Sequence, residues 1–191
     1  MNIDTFKELF IKKMRRTDYE TRENEWHVKQ LCYCRHKMMN QGVEEVMKKE
    51  PVIIGVAVDR LVKDVLGGAE PIKREVGKYT VIGTPDLVID DKVIDVKFAM
   101  FPKKKASDHD LMQVKMYLWL LDVDEGYLWY ISPQGSAEYR VFPSYVDEDI
   151  IRIIENPKYP LWSWECKFCS LYPCEHRLYP NKGAPWLKNG R

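Results

Sequence analysis

The sequence predicts an α/β or α+β chain, with helices flanking a central mixed sheet. Two patterns and their order carry that prediction. Apolar residues recur at helical spacing both before and after the middle of the chain. Between them, from about 72 to 99, "IKREVGKYTVIGTPDLVIDDKVIDVKFAM" alternates and turns as strands do. The resulting order of helices, strands, helix, strands requires a sheet packed against helices.

In chain order, residues 1 to about 50 read as helices. The first is short and amphipathic, with Phe6, Leu9, Phe10 and Met14 at helical spacing. The second carries "WHVKQLCYCRHKMMNQ", and Pro51 closes this zone. "VIIGVAVDRLVKDVL" (Val52 to Leu66) reads as a helix ended by Gly67-Gly68, although its β-branched start also suits a strand. After the strand-rich zone, "SDHDLMQVKMYLWLLD" is a helix, with Ser107 as N-cap and acidic residues in the first turn. "EGYLWYISP" and "SAEYRVFPS" return as strands, and "VDEDIIRIIEN" is a last helix leading to Pro157. The tail from 157 is rich in Pro, Trp and Tyr and holds three of the five cysteines. These zones set expected boundaries: 1–50 helical with a ligand cysteine, 51–156 a core, and 157–191 a cysteine-bearing cap.

The 191 residues suit one domain or a domain with an appendage, and can bury a substantial core. A formal net charge of +1 excludes a globally basic nucleic-acid binder, so any such surface is local. Basic runs stand at Lys12-Lys13 with Arg15-Arg16 and at Lys103-Lys104-Lys105; such runs are commonly solvated faces. No stretch is long enough for a membrane span, and the first residues lack the apolar run of a secretory signal. An odd cysteine count (Cys32, Cys34, Cys166, Cys169, Cys174) without a signal argues against a secreted disulfide framework. The expected compartment is the reducing cytoplasm, where clustered thiols more often bind metal.

"GTPDLVIDDKVIDVK" (Gly83 to Lys97) is the stretch with the clearest chemistry. A two-residue turn at Asp90-Asp91 sets Ile89 opposite Lys92 and, counting back, Asp86 opposite Asp95; Lys97 shares their face. Like charges directly opposed in a sheet destabilise it, and a divalent cation compensates them. Mg²⁺-type ions take oxygen ligands, commonly one or two carboxylates with waters and phosphate. A neighbouring lysine can position or activate water, or stabilise charge developing on phosphorus. The plain alternative is an amphipathic hairpin with one wet face, and a three-residue turn would break the pairing. Gln113 and Tyr117, four apart on one helical face, add two hydrogen-bonding groups.

"TPDLV…IDVK" resembles the PD-(D/E)XK nuclease signature, with Pro85-Asp86 and Asp95-Val96-Lys97 in its fixed places, and "QVKMY" resembles the Q-x-x-x-Y motif of its RecB-like branch. The resemblance implies a restriction-endonuclease-like core. It further implies Mg²⁺ or Mn²⁺ held by Asp86, Asp95 and the Val96 carbonyl, with Lys97, Gln113 and Tyr117 as catalytic residues. That branch usually carries a His on the preceding helix; this chain has Asp59, either a substitute ligand or an unrelated surface acid.

"CKFCSLYPC" places Cys166, Cys169 and Cys174 within nine residues, a spacing suited to structural zinc or an iron–sulfur cluster. The fourth ligand must come from the N-terminal region and would staple the two ends of the chain. A cysteine there, three near the C-terminus and a RecB-like core between them resemble the CRISPR-associated exonuclease family called Cas-four. "VKQLCYCRHK" matches its N-terminal motif best with Cys34 as ligand, leaving Cys32 as the alternative. The resemblance implies a 4Fe–4S cluster, with 2Fe–2S or zinc as alternatives. The aromatics Trp162, Trp164, Phe168 and Tyr172 either pack around that cluster or stack on single-stranded bases. The implied activity is 5′-to-3′ digestion of single-stranded or overhang DNA, trimming spacer precursors beside the CRISPR integrase complex. Two alternatives differ in kind: a viral or repair nuclease, and an inert DNA- or protein-binding scaffold.

Overall fold

The computed structural model describes residues 22–40, 50–169, 171 and 173–178. The expected first helix, the basic run at 12–16 and Tyr172 lie outside the described residues. The elements in order are β1 (Glu25–His27), α1 (Val28–Cys32), α2 (Arg35–Asn40), α3 (Glu50–Leu66), β2 (Ile72–Val76), β3 (Tyr79–Gly83), β4 (Leu87–Ile89), β5 (Lys92–Phe98), α4 (Asp108–Leu121), β6 (Gly126–Ser132), β7 (Gly135–Val141), α5 (Asp147–Glu155) and α6 (Glu165–Phe168).

The strands form two mixed sheets, which corrects the expectation of one central sheet. The first has the order β1-β3-β2, with β1 parallel and β2 antiparallel to β3. The second has the order β4-β5-β6-β7, with a parallel pair β5–β6 between two antiparallel ones. Thr84, Pro85 and Asp86 separate β3 from β4. Proline has no N–H to donate, so a ladder does not run through this point.

Two further expectations change near the N-terminus. Glu25–His27 is a strand rather than helix, because it pairs with Thr80–Ile82 of β3. The expected single helix over "HVKQLCYCRHKMMN" is broken between α1 and α2. Tyr33 is extended, and the Cys34 N–H goes to Glu165 Oε1 at 2.7 Å instead of to a helical carbonyl. Pro51 opens α3 instead of closing the zone before it; in a first turn its missing N–H has no helical partner to lose. As expected, α3 ends at Gly67, whose φ of 79° suits glycine and whose N–H reaches the Lys63 carbonyl at 3.0 Å.

Helix α4 is the centre of the molecule. It packs on β2 and β3 of one sheet and on β5, β6 and β7 of the other. Met112, Val114, Met116, Leu118, Trp119 and Leu120 are all buried, so the helix is apolar around most of its circumference. Its approach to β3 depends on Gly83. A Cβ there would stand 2.8 Å from Leu120 Cδ2, 2.9 Å from Tyr117 Cε1 and 2.9 Å from Val28 Cγ2. Gly83→Ala is expected to cost about 1–3 kcal/mol through overpacking, read as a lower urea midpoint at unchanged slope. An unshifted midpoint would show that α1 and α4 yield without cost.

Candidate active site

The β4–β5 hairpin turns on Asp90 and Asp91, with φ of 49° and 59°. Two successive positive φ values make a two-residue type I′ turn, which aspartate tolerates better than most residues. The register is Ile89↔Lys92, Val88↔Val93 and Leu87↔Ile94. One step further would set Asp86 against Asp95, but the backbone ladder stops at Leu87. The Asp86 side chain continues it: the Val96 N–H donates to Asp86 Oδ2 at 2.8 Å. A carboxylate thus takes the place of a backbone acceptor, which fixes its direction.

Asp86 and Asp95 are buried at 7% and 1% exposure. Lys97 Nζ lies 2.5 Å from Asp95 Oδ2, yet this oxygen has no hydrogen bond of acceptable angle. The contact is a charge pairing with an oblique approach. Burial pushes the Asp86 carboxyl up to about 6, reinforced by Asp95 and Asp59 and opposed by Lys97. Burial also works against the charge on Lys97, but Asp95, Asp86 and Asp110 outweigh it and hold its proton firmly.

Lys63, which the sequence reading missed, is central to this arrangement. Its Nζ lies 2.9 Å from Asp59 Oδ1 and 3.1 Å from Asp86 Oδ1. The Asp59–Lys63 spacing of four along α3 is a recognisable ion-pair signal. Its link to Asp86 is long-range and leaves no local mark. Burial lowers the pKa of Lys63, but Asp59 and Asp86 more than reverse this. Asp59 therefore stands in the same charge cluster as Asp86.

Gln113 and Tyr117 are both 2% exposed, and Gln113 Nε2 donates to the Tyr117 hydroxyl at 2.8 Å. Asp110 is a further buried acid; it accepts from the Tyr130 hydroxyl at 2.6 Å, and His109 Nε2 lies 3.3 Å from its other oxygen. Asp59, Lys63, Asp86 and Tyr117 line a cavity of about 450 Å³ whose other walls include His27, Lys29 and Arg60. Acids and basic groups thus face one another across one opening.

Among the described residues, no three His, Cys, Asp or Glu side chains form a ready-made metal cage. A Mg²⁺-type ion does not need one, since it binds through one or two carboxylates and keeps several waters. The hard oxygens of Asp86 and Asp95, one of them lacking an aligned donor, fit that class of ion.

The cysteines separate into two environments. Cys32 is fully buried and directs its thiol to Met116 Sδ at 3.6 Å. Cys34 lies on a seam with the tail, where burial raises its thiol pKa while the N–H groups of Lys37 and His36 lower it. Glu165 binds the N–H of Cys34 at 2.7 Å and that of Trp162 at 2.9 Å. Arg177 gathers the other three cysteines by their carbonyls. Its N–H reaches Cys174 O at 3.2 Å, and its guanidinium reaches Cys166 O at 3.3 Å and Cys169 O at 3.4 Å. Four soft thiols on converging segments suit a structural metal or cluster in kind, though their side chains do not form a closed set. Trp162 donates to Cys32 O, and Trp164 packs on His109 at 4.9 Å, so both aromatics have protein partners.

No protein-family model matches the chain. Over 100 residues it is 32% identical to the CRISPR-associated exonuclease Cas4 of Saccharolobus solfataricus, covering 48% of this chain. The match spans about half the length of that relative (50%). The likeness to this exonuclease read from the motifs is thereby borne out. The solved structure of SSO0001 superposes with a TM-score of 0.77 at 24% identity, covering 91% of this chain and 98% of that one, so the two share a fold. An alkaline exonuclease from Laribacter hongkongensis matches at a TM-score of 0.47 and 10% identity, too remote to argue from. No described helix is long and apolar enough to cross a membrane.

Proposed function

We propose that the chain is a divalent-metal-dependent DNA nuclease with a restriction-endonuclease-like core. The observation that carries this reading is the convergence of Asp86 and Asp95, two buried carboxylates, with Lys97 beside them. In this reading Asp86, Asp95 and the Val96 carbonyl hold Mg²⁺ or Mn²⁺, with Asp59 at the edge of the site. When bound, the ion supplies Lewis-acid stabilisation of the charge that grows on the phosphate. Lys97, which keeps its proton, positions the attacking water and places its own charge against the phosphate. The water oxygen bonds to phosphorus and gives up a proton to solvent, the bond to the leaving nucleotide oxygen breaks, and that oxygen takes a proton from solvent. Tyr117, oriented by Gln113, supplies a hydroxyl to the same cavity. Lys29 and Arg60 are placed to bind flanking phosphates; such contacts are salt-sensitive and do not read sequence.

The finer reading is 5′-to-3′ exonuclease action on single-stranded or overhang DNA, in the cytoplasm, trimming spacer precursors for the CRISPR integrase complex. It rests on the likeness to the Saccharolobus exonuclease. Cys34, Cys166, Cys169 and Cys174 would hold a 4Fe–4S cluster joining the α1–α2 region to the tail, supported by Glu165, which ties Cys34 to the tail, and by Arg177, which gathers the three tail cysteines. Cys32, turned to Met116, stays in the core.

The test is digestion of single-stranded DNA labelled at either end, with Mn²⁺ or EDTA. Mononucleotides released first from a 5′ label, only with Mn²⁺, are expected. Early release from the 3′ label would reverse the polarity, and intact DNA with Mn²⁺ would refute the nuclease.

A further inference from the structure

Lys63 holds an unusual position for a lysine in a site of this kind. Its ammonium stands between two carboxylates, 2.9 Å from Asp59 and 3.1 Å from Asp86. Those carboxylates are 12% and 10% exposed, while the lysine is 28% exposed and lies at the cavity wall. The opposite oxygen of Asp86 is tied to the Val96 N–H, so Oδ1 is the one that meets Lys63. An ion approaching Asp86 from the cavity therefore meets the ammonium first.

The charges support an exchange. Asp59, Asp86 and Asp95 face Lys63 and Lys97, leaving one formal negative charge in the cluster. A divalent cation turns that into one positive charge, and a single phosphodiester then neutralises it. Both cations cannot share Asp86 Oδ1 closely, because like charges at contact distance repel strongly in a partly desolvated site. The lysine stem packs closely over Gly68, where a Cβ would stand 3.0 Å from Lys63 Cγ and 3.2 Å from its Cβ, so the absence of a side chain there lets the stem reach the cavity.

We infer that Lys63 is a positioning residue that occupies the cation's place on Asp86, yields it to the divalent ion, and then turns to the substrate phosphate. This rests on the nuclease reading of the same site. Lys63 competes with the metal in the absence of DNA and joins it in holding DNA. The device keeps the carboxylates paired before the ion arrives and couples metal entry to phosphate binding.

The test is Mn²⁺ calorimetry without DNA on wild type, Lys63→Met and Lys63→Arg. Lys63→Met keeps the stem and removes the charge; it should bind Mn²⁺ roughly ten-fold tighter, the effect of deleting one partly buried competing charge. Lys63→Arg should restore competition. With Ca²⁺ in place of Mn²⁺, Lys63→Met should bind a single-stranded oligonucleotide more weakly than wild type. Equal or weaker Mn²⁺ binding by Lys63→Met overturns the inference and leaves the nuclease reading standing. A wild type that binds no Mn²⁺ overturns both. Should Lys63→Met fail to fold, reductive methylation of wild type decides: Lys63 should react faster with saturating Mg²⁺ than in EDTA, and unchanged reactivity overturns the exchange.

Discussion

Asp95→Asn should lower Mn²⁺-dependent DNA digestion by about 10³-fold and lower the melting temperature in EDTA as well. The two halves of this result have one origin. Asp95 is 1% exposed, and its charge repels Asp86 while it pairs with Lys97 Nζ at 2.5 Å. Asparagine keeps the shape and removes that repulsion, but it also takes away the chief partner of the buried Lys97 ammonium, leaving it Asp86 and Asp110. It also removes a hard anionic ligand that a Mg²⁺-type ion requires. Lys97→Ala is the companion variant: it leaves the buried Asp95 carboxylate without its partner and should destabilise as well. Full digestion by Asp95→Asn would remove the hairpin from the mechanism, whatever the rest of the chain does.

The legible parts of this molecule are those governed by local rules. Two turn-forming aspartates set the hairpin register, and the register brings Asp86 and Asp95 together before any coordinates are known. The stop of α3 at Gly67-Gly68 and the i, i+4 pair Gln113–Tyr117 were legible for the same reason. What escaped is non-local. Three residues of β1 are a strand only because β3 lies beside them, and no three-residue window announces that. The break between α1 and α2 is made by Glu165, a residue from the far end of the chain. Whether the strands form one sheet or two depends on how α4 packs between them. Lys63 was half legible: its pairing with Asp59 is local, but its contact with Asp86 crosses from α3 to the hairpin. Cys32 and Cys34 lie on the same short stretch, and it is packing that sets them apart, since Cys32 alone belongs to the core.

Glu165→Ala should lower stability by about 2–5 kcal/mol, the largest single loss expected on the seam between the N-terminal region and the tail. Glu165 is 1% exposed and accepts from the backbone N–H groups of Cys34 and Trp162. Alanine leaves both donors without an acceptor, and each buried orphan costs about 1–3 kcal/mol. For a chain of this length, the loss should appear as a fall of about 5–15 °C in melting temperature. Glu165→Gln should fall between the two, because one amide oxygen can still accept while its NH₂ meets the other donor. Cys34→Ala then separates the two ways the seam can be held. It removes the thiol but keeps the N–H that Glu165 binds, so a seam held by hydrogen bonds alone melts as wild type. A seam that also carries a thiolate-ligated cluster loses iron, visible absorbance and melting temperature together in Cys34→Ala, with Cys32→Ala keeping its iron. Iron-free, colourless wild type would leave the tail attached by non-covalent contacts such as those of Glu165 and Trp162.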